Sequence, residues 1–165
     1  VAGAQLYSWL DEHGRKRALD LFWVRSGDDP KQVEMALPRV EQDFEKLLGG
    51  ETAADVLIAS RQGSKFSERP APEVLTGISF DNRSSRDHTI IEVAAQDRPG
   101  LLYRLARTLN SAGLQVALAK INTEGNAVAD VFYVVDADGK KVTDPVQVDH
   151  LHKQLKEAAQ RNNMA

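Results

Sequence analysis

Between His88 and Ala112 the chain reads HTIIEVAAQDRPGLLYRLARTLNSA, and its hydrophobic period changes once. Thr89, Ile91, Val93 and Ala95 alternate with Ile90, Glu92 and Ala94, the period-two pattern of a strand rich in β-branched residues. Asp97-Arg98-Pro99-Gly100 stops the strand: Pro99 offers no ladder N–H, and its fixed φ suits the first turn of a helix. Asp97 stands where its carboxylate would cap the free N–H groups of that helix. Leu101, Leu102, Leu105, Ala106 and Leu109 then recur on one helical face, and Gly113 stands where a helix closes on a glycine. A strand handing over to a helix N-terminus leaves a small hollow that favours anions.

Elsewhere the pattern predicts strands over 3–10 and 18–25 with a polar turn at 11–17, together a hairpin. Asp29-Pro30 opens a helix whose stripe is Val33, Leu37, Val40, Phe44 and Leu47, ending at Gly49-Gly50. Pro38 lies inside that stripe. An interior proline costs about 3 kcal/mol and is expected to kink the helix or split it. Residues 53–60 are compatible with a further helix, and 61–73 have the composition of a linker. A strand is expected at 74–81, then the strand at 88–95, strands at 115–122 and 127–135, and a helix opened by Asp144-Pro145 with Val148, Leu151 and Leu155 as its stripe. The tail Arg161–Ala165 is expected to fray.

The chain repeats itself. A shift of 110 residues superposes Gly3 on Gly113, Gln5 on Gln115, Asp20 on Asp130, Phe22 on Phe132 and Val24 on Val134. A shift of 115 superposes Asp29-Pro30 on Asp144-Pro145 and Val33 on Val148. The chain thus holds two related units. The second has strand–helix–strand–strand–helix; the first begins at its second strand, so its own opening strand and helix are expected to precede Val1.

Composition narrows the classes. At 165 residues with a net charge of −3 and 42% apolar content, the chain has room for one or two ordinary globular domains. There is no cysteine, hence no disulfide or thiol chemistry. Nothing approaches the run of about 18 apolar residues needed for a membrane span. The mild acidity argues against nucleic acid, and a cytoplasmic setting is expected.

The stretch IEVAAQDRPGLLYRLARTLNSAGLQVALAKINTEGNAVADVFYVVDADGKKV resembles an ACT domain, a ligand-binding module of amino-acid metabolism. With ALDLFWV and ISFDN before it, nearly the whole chain resembles the C-terminal tandem ACT region of the protein-PII uridylyltransferase/uridylyl-removing enzyme family. The resemblance implies an α+β, ferredoxin-like βαββαβ fold: an antiparallel sheet with helices on one face and a truncated first unit. Residues 1–50 would be a partial ACT unit, 51–73 a linker, and 74–165 an ACT unit with 74–81 as its edge strand. In the order 4-1-3-2 strand 1 is central, so 74–81 is expected beside 88–95, in the place of strand 4. The first unit, lacking its central strand, needs cover from the second unit or another chain.

The resemblance also implies function. ACT modules bind small amino acids near this turn, often between units. Asp97, Arg98, Pro99, Gly100 and Leu101 are therefore the candidate ligand-binding residues, with Asn122 as a neighbouring wall. From the residues alone, a capped turn without ligand is the plainer reading. The implied ligand is glutamine, and the implied parent enzyme acts on the PII signalling protein. That parent resembles a Mg-dependent nucleotidyltransferase with hydrolase activity, its catalytic centres lying outside this segment. For this segment no catalytic residue, metal ligand or cofactor is expected.

Other motifs are weak. His13, His88, His150 and His152 lack metal-site spacing. Asp136-Ala137-Asp138-Gly139 opens like a calcium loop, but Gln147 stands at the closing Glu position. Gly63-Ser64 resembles the start of a nucleotidyltransferase motif without the acids to follow it. Trp9, Phe22, Trp23, Phe132 and Tyr133 are expected in the core. Two other readings stay open: an ACT unit serving only assembly, and an RNA-binding ferredoxin-like module, which the charge disfavours.

Overall fold

The computed structural model describes residues 2–24, 31–61 and 74–161. The described residues fall into two compact units, 2–23 with 74–161, and 24 with 31–61.

The larger unit is an antiparallel sheet of six strands: β1 (Gly3–Leu10), β2 (Lys16–Trp23), β3 (Gly77–Asp81), β4 (Thr89–Gln96), β5 (Gln115–Glu124) and β6 (Ala127–Val135). Their spatial order is β2-β1-β5-β6-β4-β3. Its half β3-β4-β6-β5 is the ferredoxin-like order 4-1-3-2, and β3 takes the fourth place beside β4, as expected, with Phe80 opposite Ile91. The helices α3 (Leu101–Ser111) and α4 (Pro145–Gln160) pack on each other and against β3, β4 and β5. The remaining helices, α1 (Lys31–Leu48) and α2 (Ala54–Arg61), belong to the smaller unit.

Alternation along the strands builds the core. On β4, Ile91, Val93 and Ala95 are buried while Glu92 and Ala94 are exposed. Across the sheet Ile91 faces Phe132 on β6, and Ala119 on β5 pairs with the same residue. From above, Leu101, Leu105 and Leu109 of α3 and Leu151 and Leu155 of α4 close the layer. Each such leucine contributes about 1.5–3 kcal/mol by leaving water. Ala106, expected on this face, is exposed, and Arg104 occupies the inward position instead.

A buried polar knot pins the ends of the layer. The Thr89 hydroxyl donates to Asn82 Oδ1 at 2.6 Å and accepts from Val142 N–H at 2.8 Å, while Asn82 Nδ2 donates to Val142 O at 2.9 Å. Both termini of α3 and α4 that carry glycine or proline signals are built as expected on one side. Gly113 has φ 76°, its N–H donates to Asn110 O, and Leu114 N–H reaches Leu109 O, a Schellman closure. Asp144 caps α4 by accepting from Val146 N–H, with Pro145 in the first turn.

The first repeat appears as a hairpin. β1 pairs with β2 and, on its other side, with β5, Gly3 opposite Asn122 and Ala4 opposite Ile121. Within the larger unit, the second repeat therefore covers one edge of the first repeat's hairpin. β2 starts two residues earlier than expected, at Lys16, and all its residues are exposed. Trp9, Phe22 and Trp23, expected in the core, are about half exposed at 50%, 52% and 52%. The reason is position: within the larger unit the β1–β2 hairpin is one side of the sheet, with β2 outermost, and α3 and α4 pack on the other half. Phe132 is buried as expected, whereas Tyr133, one residue on, faces the other side of the sheet and is half-buried.

In the smaller unit α1 is one continuous helix through Pro38, so the splitting alternative does not occur. It carries Glu34 in its first turn and Lys46 in its last, charges that complement the helix dipole. Gly50 closes it with φ 73°, and Glu51 N–H donates to Lys46 O. None of its residues is buried. Asp29-Pro30, most of the 61–73 linker with Gly63-Ser64, and the end of the tail lie outside the described residues.

Candidate functional site

The turn joining β4 to α3 is built from backbone rather than from a side-chain cap. Gly100 is the N-cap of α3, left-handed at φ 76°, and no side chain caps the helix. The expected Asp97 cap is therefore corrected: with the helix starting at Leu101, Asp97 lies too far back to reach its first amides. Pro99 likewise precedes the first helical turn instead of forming it. A left-handed N-cap is readily adopted only by glycine. Leu101 N–H donates to Arg98 O at 3.0 Å, so that amide is committed within the turn.

Asp97 is tied to the neighbouring turn at the same end of the sheet. Its N–H donates to Asn126 O at 2.7 Å, in the turn between β5 and β6. Asn122, near the end of β5, stands opposite Gly3 of β1. A Cβ on Gly3 would meet Ile121 O at 3.1 Å, so the two backbones run close. The end of β5 and the start of β1 form the seam between the two repeats, and the turn 97–100, which follows β4 with β6 between it and β5, is linked toward them through Asn126. Asn122 itself is exposed, and its inward contribution is its backbone N–H.

That N–H donates to Asp130 Oδ1 at 3.3 Å. Asp130, on β6, is 1% exposed among Val128, Phe132 and Val134 on the helix-covered face. Burial pushes its carboxyl up to about 7; the Asn122 N–H opposes this and the nearby Asp97 charge adds to it. Asp130 was not among the expected site residues. Its signal was in the sequence, as an acid at an inward strand position that recurs at Asp20 in the first repeat. The Asp20 carboxyl, though on an exposed strand, is raised too by partial desolvation.

On the other side of the turn the charge is positive. Arg104, 8% exposed on α3, donates from Nε to Ala158 O and from Nη1 to Pro99 O, both at 3.0 Å. Arg98 donates from Nη1 to Gln160 O and from Nη2 to Gln96 Oε1, both at 3.1 Å. Two arginines therefore bind the turn to the last turn of α4. The site lies between an acidic flank, Asp97 and Asp130, and a basic one, Arg98 and Arg104. Among the described residues no group of three or more His, Cys, Asp or Glu side chains is arranged to hold a metal ion. Among them also no helix is long and apolar enough to cross a membrane.

Comparison with known proteins agrees with this architecture. Relatives include the bifunctional uridylyltransferase/uridylyl-removing enzyme of Ruegeria pomeroyi, 41% identical over 158 residues, covering 96% of this chain and 17% of that protein. The same-named enzyme of Cereibacter sphaeroides is 36% identical over 159 residues, covering 96% of this chain and 16% of the relative. That of Gluconobacter oxydans is 39% identical over 144 residues, covering 84% and 15%. The chain thus spans a small part of the length of these relatives. No solved structure matches it. The family model described as "ACR9-like, ACT-like domain" matches residues 77–162, the stretch that holds β3 to α4, and the chain belongs to this ACT-like family.

Proposed function

We propose that this chain is the amino-acid-sensing regulatory region of a uridylyltransferase/uridylyl-removing enzyme, and that it does no chemistry itself. Its ligand in this reading is glutamine, held at Asp97–Leu101 with the end of β5 at Asn122 as the adjoining wall. The observation that carries the reading is the glycine-built turn between β4 and α3, with acid on one flank and arginine on the other. An amino acid has the complementary layout, an ammonium and a carboxylate on one carbon. A ligand touching both repeats favours one arrangement of them, and such a difference, usually about 1–3 kcal/mol, is all that allosteric control needs. In the parent enzyme, bound glutamine would shift the balance from uridylylation of the PII protein toward removal of the uridylyl group, in the cytoplasm.

Calorimetric titration of the chain with L-glutamine tests the reading. Saturable heat that is lost in Asp97→Ala is the expected result. Absence of heat from a chain whose circular dichroism is that of a folded α+β protein refutes it.

A second reading is an assembly module without ligand. It is favoured by the half-exposed Trp9, Phe22 and Trp23 on the outer hairpin, an apolar patch of the kind that marks protein contacts. Sedimentation analysis separates the two: the assembly reading requires a concentration-dependent oligomer that amino acids leave unchanged.

A further inference from the structure

Where α3 begins and α4 ends, three arginines meet with no acid among them. Arg98 sits in the turn, Arg104 on the inner face of α3, and Arg161 just past α4. Arg104 feels both of the others: burial lowers its pKa first, then the charge of Arg98, then that of Arg161. Among the described residues no carboxylate forms an ion pair with any of the three. Arg104 Nη2 is buried and has no hydrogen-bond partner among the described residues. The C-terminal carbonyls of α4 accept from Arg98 and Arg104, but a helix C-terminus amounts to only about half a negative charge. Roughly three positive charges are left largely uncompensated, and one guanidinium nitrogen is orphaned. Buried donors in native structures are nearly always satisfied, and an exception calls for an explanation such as a bound ion.

A cavity opens beside Arg98, the one arginine of the three that lines it. It has a volume of about 150 Å³ and is lined by Val74, Leu75, Thr76, Gln96, Arg98, Ala159 and Gln160. The space admits a carboxylate or phosphate group. Arg98 has used two of its five N–H donors, on Gln160 O and Gln96 Oε1. The amide groups of Gln96 and Gln160 add neutral donors.

We propose that this cavity is a binding site for a small oxyanion, a carboxylate or a phosphate, contacted by Arg98 and held by the field of Arg104 and Arg161. It lies on the α4 side of the turn, away from Asn122 and Asp130. Because Arg104 ties the Pro99 carbonyl to the Ala158 carbonyl, an anion here tightens the junction of the turn with the end of α4.

The test is the thermal midpoint of the chain in inorganic phosphate, in acetate and in chloride, at matched ionic strength. Phosphate or acetate should raise the midpoint in a saturable way beyond chloride. Saturation by both identifies a general oxyanion site, by acetate alone a carboxylate site, and by phosphate alone a phosphate site. Arg98→Gln and Arg161→Gln should each raise the half-saturating concentration, the former by about tenfold or more because it removes a charge-assisted contact. Both residues lie outside the core, so the variants should still fold. The site is ruled out if neither anion exceeds chloride, or if both variants keep the wild-type response. Glutamine titration of the unsubstituted chain separates this site from the amino-acid reading: saturable glutamine heat with no anion response beyond chloride overturns the oxyanion site alone.

Discussion

Asp130→Asn should make the protein more stable at neutral pH, and the gain should vanish in acid. The Asp130 carboxyl is raised from an ordinary 3.8 to about 7 by burial. A raised carboxyl means that the folded state binds the proton more tightly than the unfolded chain does. Between pH 3.8 and about 7 the folded state therefore carries more protons, and stability falls as pH rises through that window. At about 1.4 kcal/mol for each pH unit, the loss across the window is about 4 kcal/mol. Above about 7 both states are ionised and the penalty stays constant. Asparagine has nearly the same shape, keeps an oxygen for the Asn122 N–H and does not titrate. The assay is urea unfolding of both proteins from pH 4 to pH 8.5, read as the difference between them, in which all other titrating groups cancel. The difference should move in favour of the variant as pH rises, and level off near pH 7–8. A difference flat to within about 0.5 kcal/mol, the usual size of a neutral substitution, would refute the reasoning and put the Asp130 ionisation in the ordinary carboxylate range.

Other expectations follow from the packing. Thr89→Val leaves Val142 N–H and Asn82 Oδ1 without their partner, and at about 1–3 kcal/mol for each unsatisfied group it should lower urea stability by about 2–4 kcal/mol. Gly113→Ala meets no atom within 4 Å. Its cost is backbone strain at positive φ alone, about 1–2 kcal/mol, measurable as a fall in thermal midpoint with the far-ultraviolet spectrum unchanged. Leu105→Ala, at a fully buried site, should cost about 2–5 kcal/mol, whereas Leu19→Ala, at 51% exposure, should cost less than about 1 kcal/mol in the same denaturant titration.

The sequence carried the elements of the larger unit closely, because each had both a period and a punctuation mark. β4 and α3 announced themselves by the switch of period at Pro99-Gly100, and α4 by Asp144-Pro145. The placing of β3 beside β4 was legible from the short polar connection at 82–87 and from a sheet position left empty after α4. Bulk hydrophobicity misled where position decides. Trp9, Phe22 and Trp23 look like core by composition, but within the larger unit α3 and α4 pack on the half of the sheet away from the β1–β2 hairpin. Pro38 looked like a breaker, yet a continuous α1 accommodates it. The turn was legible as a turn and not as a mechanism. An acid before a helix commonly caps it, which makes Asp97 a cap by sequence, whereas Gly100 supplies the geometry. Asp130 and Arg104 escaped because each is a charged residue at an apolar position, where a period-based reading expects none. In both cases the interruption of the pattern was itself the signal.

The placing of β3 has a kinetic consequence. A ferredoxin-like sheet ordinarily recruits its fourth strand from the far end of the chain, after the second helix, and must close a long loop to do so. Here the same slot is filled by the nearest neighbour in sequence, as in a circular permutant. Closing a short loop costs less entropy than closing a long one, and lower contact order speeds folding. The β3–β4 pair can therefore form early and serve as the template on which β6 and β5 are laid down, with α4 docking last.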